Sequence, residues 1–515
     1  MQPEIKAAMV YLIGAGPGDP GLITLKGARC IAAADVVVYD YLASSALLRH
    51  ARDDAELIYV GKKGGDHTLS QDAINALLVE KALQGRSVAR LKGGDPFIFG
   101  RGGEEAQALI DKAIPFEVVP GVTSAVAAPA YAGIPLTHRR FTSTVTFVTG
   151  HEDPTKDATR IDWTSLASGT GTLVFLMGVK NLPHIVQRLL DNGRSPSTPV
   201  ALVRWGTTAR QKTVVGQLDD IVERVAAAGL KAPSIIVVGD VARLRQNMAW
   251  FEPRRPLLGK CIVVTRARQQ ASDLVERLSD LGAECIECPT IEIVPPMDES
   301  AVDLAIDRLG EYDWVIFTSV NGVAYFFRRL LSRGLDSRAL GGMRTAAIGP
   351  ATAARLMDFG IRCDIVPETY RAESVVAAFE GQAIKGCRIL LPRAKEARPV
   401  LPQALSRMGA RVDEVTVYQT RLATETAGEI LTRLDAGQID LVTFTSSSTV
   451  KNFLRIVPPD RLQALIESVT VAAIGPITAQ TARENGLSVH VTADRYTIDG
   501  LCQSIAAHYL KSADH

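Results

Sequence analysis

At roughly 150 residues per domain, a chain of 515 residues holds about three domains or two large ones, which excludes a single small module. Hydrophobic residues at 47% and charged residues at 22% are the proportions of folded globular domains and exclude a disordered or fibrous build. Basic and acidic side chains, 57 against 56, leave a net charge of +1, too little for the long-range basic field that nucleic-acid binders carry.

The first apolar run, Met9 to Ala15, falls far short of the ~20 residues a bilayer crossing needs and runs directly into a Gly/Pro turn, so neither a signal peptide nor a membrane span is expected. Strand signals at 10–13, 36–39, 88–91 and 173–177 alternate with helical stretches at 71–84 and 104–112, which is α/β order. The first strand ends in Gly14-Ala15-Gly16-Pro17-Gly18-Asp19-Pro20-Gly21. A dinucleotide fingerprint needs glycine where Asp19 stands, and Pro17 and Pro20 would keep a helix from opening on a phosphate, so that motif fails in detail. Glycines still let a backbone approach a ligand closely, and prolines lower the entropy lost in ordering the loop; a plain tight turn is the other reading.

A second dense block, Leu91-Lys92-Gly93-Gly94-Asp95-Pro96-Phe97-Ile98-Phe99-Gly100-Arg101-Gly102-Gly103-Glu104-Glu105, likewise follows a strand and precedes a helix. The periodic pattern then continues to the stretch from Trp250 to Pro256, where two prolines bracket Arg254-Arg255 and a fresh strand signal begins at Lys260. A domain boundary belongs there, giving expected domains 8–250 and 257–515.

The second half repeats itself. Ala346-Ala347-Ile348-Gly349-Pro350-Ala351-Thr352-Ala353 recurs as Ala472-Ala473-Ile474-Gly475-Pro476-Ile477-Thr478-Ala479 at an offset of 126. Asp313 to Ser319 answers Asp440 to Ser446, and Ile262 to Arg266 answers Ile389 to Arg393, both at an offset of 127. Such a period is too long for a solenoid and implies two similar α/β lobes, each with its own parallel sheet, facing one another across a cleft. Ligands bind at the carboxyl ends of parallel strands, so the repeated Phe-Thr-Ser and Ile-Gly-Pro segments are candidates for the cleft wall; capping of the following helices is the competing role, and one hydroxyl can do both.

The seven cysteines are scattered, as expected of reduced thiols in a cytoplasmic protein. Cys285 and Cys288 form a lone C-x-x-C without a second pair, and the histidines of the first half lack ligand spacing, so no metal is expected.

The opening loop, Val38-Tyr39-Asp40, Tyr59-Val60-Gly61-Lys62, the Gly-Gly-Asp-Pro-Phe block, Pro120-Gly121-Val122-Thr123-Ser124-Ala125 and Gly133-Ile134-Pro135-Leu136-Thr137-His138-Arg139 together resemble uroporphyrinogen-III C-methyltransferases across about residues 8–250. The resemblance implies two α/β subdomains with S-adenosylmethionine between them. Carried over residue by residue, it implies a donor pocket lined by Pro17, Gly93, Gly94, Asp95, Ile98, Thr123, Ser124, Met177 and Gly206, with Asp40 and Lys62 as proton acceptor and donor. An electron-rich pyrrole carbon needs mainly alignment and proton management, so Asp40 orienting a pyrrole N–H and Lys62 holding a carboxylate is the alternative assignment. The carboxylate of Asp95 suits a hydroxyl or ammonium group, and the substrate's carboxylates call for cations, for which Lys62, Lys63, Arg101, Arg139 and Arg140 are at hand.

Thr416-Val417-Tyr418-Gln419-Thr420, Phe317 to Gly322, Ala472 to Ala479 and Thr497-Ile498-Asp499-Gly500-Leu501 resemble the uroporphyrinogen-III synthases across about residues 257–510. That family closes hydroxymethylbilane with inversion of the last ring and without a cofactor. The resemblance implies lobes joined by two crossing strands, one combining 257–292 with 420–515 and the other holding 293–419. Tyr418 would assist loss of the hydroxyl as water, with core packing as its other role. Thr318, Ser319, Ser446, Ser447 and Thr478 would hold carboxylates, with Arg266 and Arg393 as further clamps.

The expected whole is a bifunctional enzyme of the sirohaem or cobalamin path: cyclisation in the second half, then two methylations to precorrin-2 in the first. A methylase of another corrinoid intermediate with a non-catalytic second half is the alternative. Family members of the first kind are commonly dimers, and a homodimer is expected through that half. Because the chain opens at the methylase loop, oxidation and metal insertion are expected to need another protein.

Overall fold

The computed structural model describes residues 8–61, 69–150, 161–265, 268–368, 371–423, 427–458, 461 and 467–513. Four five-stranded sheets follow one another along the chain, two in each half. The first contains β1 (Val10–Gly14), β2 (Val36–Tyr39), β3 (Glu56–Tyr59), β4 (Val88–Lys92) and β5 (Phe116–Val119) in the order β3-β2-β4-β1-β5, all pairs parallel. Val10, Leu12, Val36, Val38 and Val88 are wholly buried, the near-continuous β-branched runs that a sheet covered on both faces requires.

The second contains β6 (Val145–Thr149), β7 (Thr172–Leu176), β8 (Pro199–Arg204), β9 (Lys212–Gln217) and β10 (Ser234–Val238), ordered β6-β7-β10-β8-β9. Only β6 and β7 run parallel; the other pairs are antiparallel. The α/β alternation of the sequence therefore changes character here, because β8 and β9 are joined by a short connection that can only reverse the chain.

The third sheet draws on both ends of the second half: β11 (Cys261–Val264), β12 (Glu284–Glu287), β18 (Leu441–Phe444), β19 (Thr470–Ala473) and β20 (Val491–Thr492), ordered β12-β11-β18-β19-β20 and parallel. The fourth holds β13 (Ile291–Val294), β14 (Trp314–Phe317), β15 (Arg344–Ala347), β16 (Arg388–Ala394) and β17 (Arg411–Leu422), ordered β13-β17-β16-β14-β15. This sheet is not wholly parallel as the repeat implied: β13 lies antiparallel on the far end of the long β17, from Ile291 opposite Leu422 to Val294 opposite Gln419. The chain crosses between the sheets on this strand pair.

The repeat is visible hydrogen bond by hydrogen bond. Asp313 accepts from the amide of Arg388, and Asp440 from the amide of Cys261, each at 2.8 Å. The amide of Ile348 donates to the carbonyl of Phe317, and that of Ile474 to Phe444, each at 2.9 Å. Aspartate at the entry of a strand thus fixes its neighbour's start in both copies. Burial pushes the Cys285 thiol up to about 12, and Cys288 is 1% exposed, so the C-x-x-C is core. Among the described residues no helix is long and apolar enough to cross a membrane.

Phe444 is fully buried, its ring 5.6 Å from that of Phe453. Phe444→Ala should cost about 3–5 kcal/mol by removing contacts and leaving a cavity, read as a lowered denaturant midpoint for the unfolding of the second half.

Candidate active sites

In the first half, the loops after β1, β4 and β5 meet at three glycines. A Cβ on Gly121 would stand 2.4 Å from the Gly94 carbonyl oxygen and 2.6 Å from Gly14 Cα, and one on Gly14 would stand 2.4 Å from Gly121 Cα. Only hydrogen fits at that junction. Gly94, at φ +71°, exchanges two backbone hydrogen bonds with Gly16, of 2.7 and 3.2 Å. Asp95 locks the arrangement: one carboxylate oxygen accepts from the amide of Phe97 at 2.8 Å and the other from that of Gly121 at 3.0 Å. The Asp95 carboxylate, read from sequence as a partner for a ligand, therefore spends a lone pair of each oxygen on the protein's own backbone.

Beneath these loops lies a chain of charges that the sequence did not announce. Glu105 is fully buried, and its Oε1 takes Lys92 Nζ at 2.6 Å and Arg90 Nε at 3.2 Å. Arg90, 3% exposed, reaches with Nη2 to Asp40 Oδ2 at 3.1 Å, while Asp40 Oδ1 accepts from the amide of Leu42 at 3.0 Å. Among the described residues Glu105 Oε2 has no hydrogen-bond partner. Burial, with Arg90 alongside, pushes the Lys92 ammonium down from the ordinary lysine range. The alternation Arg90-Leu91-Lys92 puts both cations on one face of β4, a period-two signal from which this cluster could have been read.

The second subdomain closes on the first through Asp19. Its amide donates to Thr207 Oγ1 at 3.0 Å, and its Oδ2 accepts from the Tyr131 hydroxyl at 2.8 Å; burial and this carboxylate push that phenol upward, so it stays a donor. Thr207 donates to Gln211, which donates to Glu252, itself paired with Arg245 at 3.1 Å. The residue that spoiled a dinucleotide fingerprint is thus the hub of a clasp.

Strain marks the same ends of strands. Phe99, Arg101, Met177, Trp205 and Thr207 hold φ between 47° and 73°, all in loops after β4, β7 and β8. Around them Tyr41, Phe97 and Met177 are each more than half exposed, and Ile98 and Phe99 are also exposed. Exposed large apolar side chains at the ends of strands are candidates for contact with a ligand. Thr123 caps the helix Ser124–Tyr131, and its hydroxyl, accepting from the amide of Ala125, keeps its proton to donate. Pro17 stands in the first loop. Gly206 serves packing, since a Cβ there would lie 2.4 Å from Ala128 Cβ, and one on Gly93 would lie 2.5 Å from Leu42 Cβ. Arg101 is exposed and paired with Glu104 at 2.5 Å; Arg139 is exposed on a turn. Lys62, Lys63 and Arg266 lie outside the described residues.

In the second half, Ser319 and Ser446 end equivalent strands and cap equivalent helices, Val320–Ser332 and Ser447–Ile456. Ser319 accepts from the amide of Gly322 at 2.9 Å and shares a 3.0 Å hydrogen bond with the Tyr418 hydroxyl. Tyr418 is 9% exposed, its ring 5.8 Å from that of Tyr325, so it is packed and hydrogen-bonded at once. Ser446 closes a capping box with Thr449, and Ser447 shares 2.8 Å with Thr481. Thr318 is partly exposed beside Ser319.

Two residues expected to hold substrate carboxylates are buried. Arg393 is 7% exposed, its guanidinium held by Glu414 at 2.8 Å and by the carbonyl of Arg398 at 2.5 Å, so it is buried and already ion-paired. Thr478 is 6% exposed because helical periodicity puts it on the inner face with Thr481 and Ala482; Ile477, at 76%, is what this helix start presents to solvent.

Residues 9–222 match the family model described as tetrapyrrole (corrin/porphyrin) methylases, and residues 272–503 that described as uroporphyrinogen-III synthase HemD. The chain is 38% identical over 496 residues to a protein of Ruminiclostridium josui called porphyrin biosynthesis protein HemD, covering 96% of this chain and 97% of that one. It is 55% identical over 235 residues to the S-adenosyl-L-methionine-dependent uroporphyrinogen III methyltransferase of Methanosarcina barkeri, covering 46% of this chain and 92% of the relative. Among solved structures it is similar to uroporphyrin-III C-methyl transferase from Thermus thermophilus complexed with S-adenyl homocysteine, at 39% identity and a TM-score of 0.40, over 46% of this chain and all of that one.

Glu105→Ala should destabilise the first half by about 3–5 kcal/mol, because Lys92 is left buried without a counter-charge. The double replacement Lys92→Met with Glu105→Leu should cost clearly less, a comparison that denaturant midpoints measure directly.

Proposed function

The chain belongs to the tetrapyrrole methylases through its first half and to the uroporphyrinogen-III synthases through its second, and from that premise we propose how its own residues carry the two reactions. It is a bifunctional tetrapyrrole enzyme, a uroporphyrinogen-III synthase joined to an S-adenosylmethionine-dependent uroporphyrinogen-III C-methyltransferase. The observation that carries this is that one relative matches both halves in one chain, over 96% of this chain and 97% of that one. The product of the second half is the substrate of the first.

In the methylase half, Gly93, Gly94, Thr123, Ser124, Ile98, Met177 and Pro17 would hold the donor. The fit is physical: a glycine cradle where neighbouring strands end, a free hydroxyl proton on Thr123, and exposed apolar side chains at Ile98 and Met177. S-adenosylmethionine supplies an electrophilic methyl on a sulfonium. Asp95 acts by locking the Gly94 and Gly121 loops together, and Gly206 by letting its loop sit on the helix Ser124–Tyr131. Asp40 keeps a lone pair on each oxygen and orients a pyrrole N–H. Were it to take a proton, buried Arg90 would be left with Glu105 alone, already shared with Lys92, which favours positioning over proton removal. Arg101 and Arg139, both exposed, would meet substrate carboxylates, and Lys62, outside the described residues, is assigned the same role from the sequence.

In the synthase half, the Tyr418 hydroxyl, tied to Ser319, would stabilise the departing hydroxyl as it leaves as water. Thr318, Ser319, Ser446 and Ser447, at the ends of equivalent strands, would hold carboxylate arms through hydroxyls and helix-start amides. A homodimer through the methylase half and a cytoplasmic setting complete the proposal; seven cysteines scattered along the chain without paired spacing support a reducing compartment.

Incubating the chain with hydroxymethylbilane and donor should yield type III product carrying two added methyls by mass, and Tyr418→Phe should slow cyclisation by about tenfold or more. Formation of the type I isomer alone overturns the synthase assignment. Asp40→Asn should raise the methylase KM by about tenfold with kcat within about threefold; a collapse of kcat at unchanged KM would instead assign proton removal to it.

A further inference from the structure

The two halves touch through more than the segment that connects them. The amide of Gly259 donates to the carbonyl of Ala209 at 2.7 Å. One residue on, Arg210 Nε lies 3.3 Å from Oε2 of Glu284, the first residue of β12 in the synthase half. Glu284 presents its other oxygen to Arg433 Nη1 at 2.8 Å, so the carboxylate is fixed from behind within its own half.

Toward the methylase half, the Arg210 guanidinium carbon sits 4.5 Å from the centre of the Trp205 ring. Trp205 meets Tyr41 edge to face at 5.7 Å, and Tyr41 is the residue after Asp40. Trp205 itself holds φ +47° and opens the loop whose Thr207, at φ +73°, binds the amide of Asp19. A line of direct contacts therefore runs from Glu284 through Arg210 and Trp205 to the rim of the methylase site. Left-handed backbone at non-glycine residues persists only where the surroundings impose it, and the stacked guanidinium is one of those surroundings.

We propose that Glu284, although it belongs to the synthase half, is a positioning residue for the methylase half: by holding Arg210 over Trp205 it keeps the 205–210 loop seated against Tyr41. This rests on the methylase function assigned above. Arg210 is about half exposed, so the pair adds little to global stability, and its effect falls on substrate binding.

The test uses the full chain. Glu284→Gln and Arg210→Ala should each raise the methylase KM for uroporphyrinogen III by three- to tenfold with kcat within twofold. Glu284→Asp should recover at least half of the loss, and the double variant should be no worse than either single one. Synthase turnover and the thermal midpoint should stay at wild-type values. An active wild type with KM unchanged in both single variants, or additive losses in the double variant, overturns the inference alone. A wild type that transfers no methyl to uroporphyrinogen III overturns the methylase function and the inference with it.

Discussion

A single buried carboxylate organises the methylase half. Glu105 has no exposed surface, so its charge must be met inside the protein, and Lys92 and Arg90 meet it from one face of β4. That demand ties the helix Gly102–Ile110 to β4 and, through the second arm of Arg90, to Asp40 at the end of β2. The glycine-rich stretch between Lys92 and Gly102 is thereby pinned at both ends. It can adopt left-handed backbone at Gly94, Phe99 and Arg101 because its anchors are fixed elsewhere.

The junction of Gly14, Gly94 and Gly121 answers a related constraint. Three strand ends must approach closely enough for Asp95 to reach across to the Gly121 amide; a side chain on Gly14 or Gly121 would hold them apart, and Gly94 supplies the left-handed turn. Rigidity at the floor of the site is what an alkyl transfer between two bound partners requires, since its main demand is alignment. The synthase half meets a different demand with a different device. Two copies of one strand-and-helix unit present capped serines at corresponding ends, suited to a substrate whose carboxylates surround a flexible ring.

Chain order and spatial order part company in both halves. Asp19 and Thr207 are 188 residues apart yet share a hydrogen bond that closes one subdomain on the other. β11 and β18, separated by more than the whole fourth sheet, lie side by side. The segment from Trp250 to Pro256, which breaks the sequence pattern, is packed as well: Phe251 is 4% exposed under Arg255, and Trp250 donates to the distant Ala130 carbonyl.

The sequence by itself determined the kind of structure and the places where ligands approach. Strand periodicity, glycine spacing and the internal offset are local properties, and local geometry enforces them: a strand end followed by glycine turns sharply wherever it lies. Residue order also carried the family likeness of each half, because loops such as Gly93 to Glu105 are contiguous. Tertiary structure alone decided which of those residues remain available. Arg393 and Thr478 both read as holders of carboxylates, and folding pairs the first with Glu414 and the Arg398 carbonyl and turns the second onto the inner face of its helix. The antiparallel turn of β13 onto β17, the Glu105 cluster and the contact of Arg210 with Glu284 likewise join residues that are distant or unremarkable in the chain. Hydrogen-bonding capacity is a property of a residue, whereas what consumes it is a property of its neighbours, and those neighbours exist only once the chain has folded.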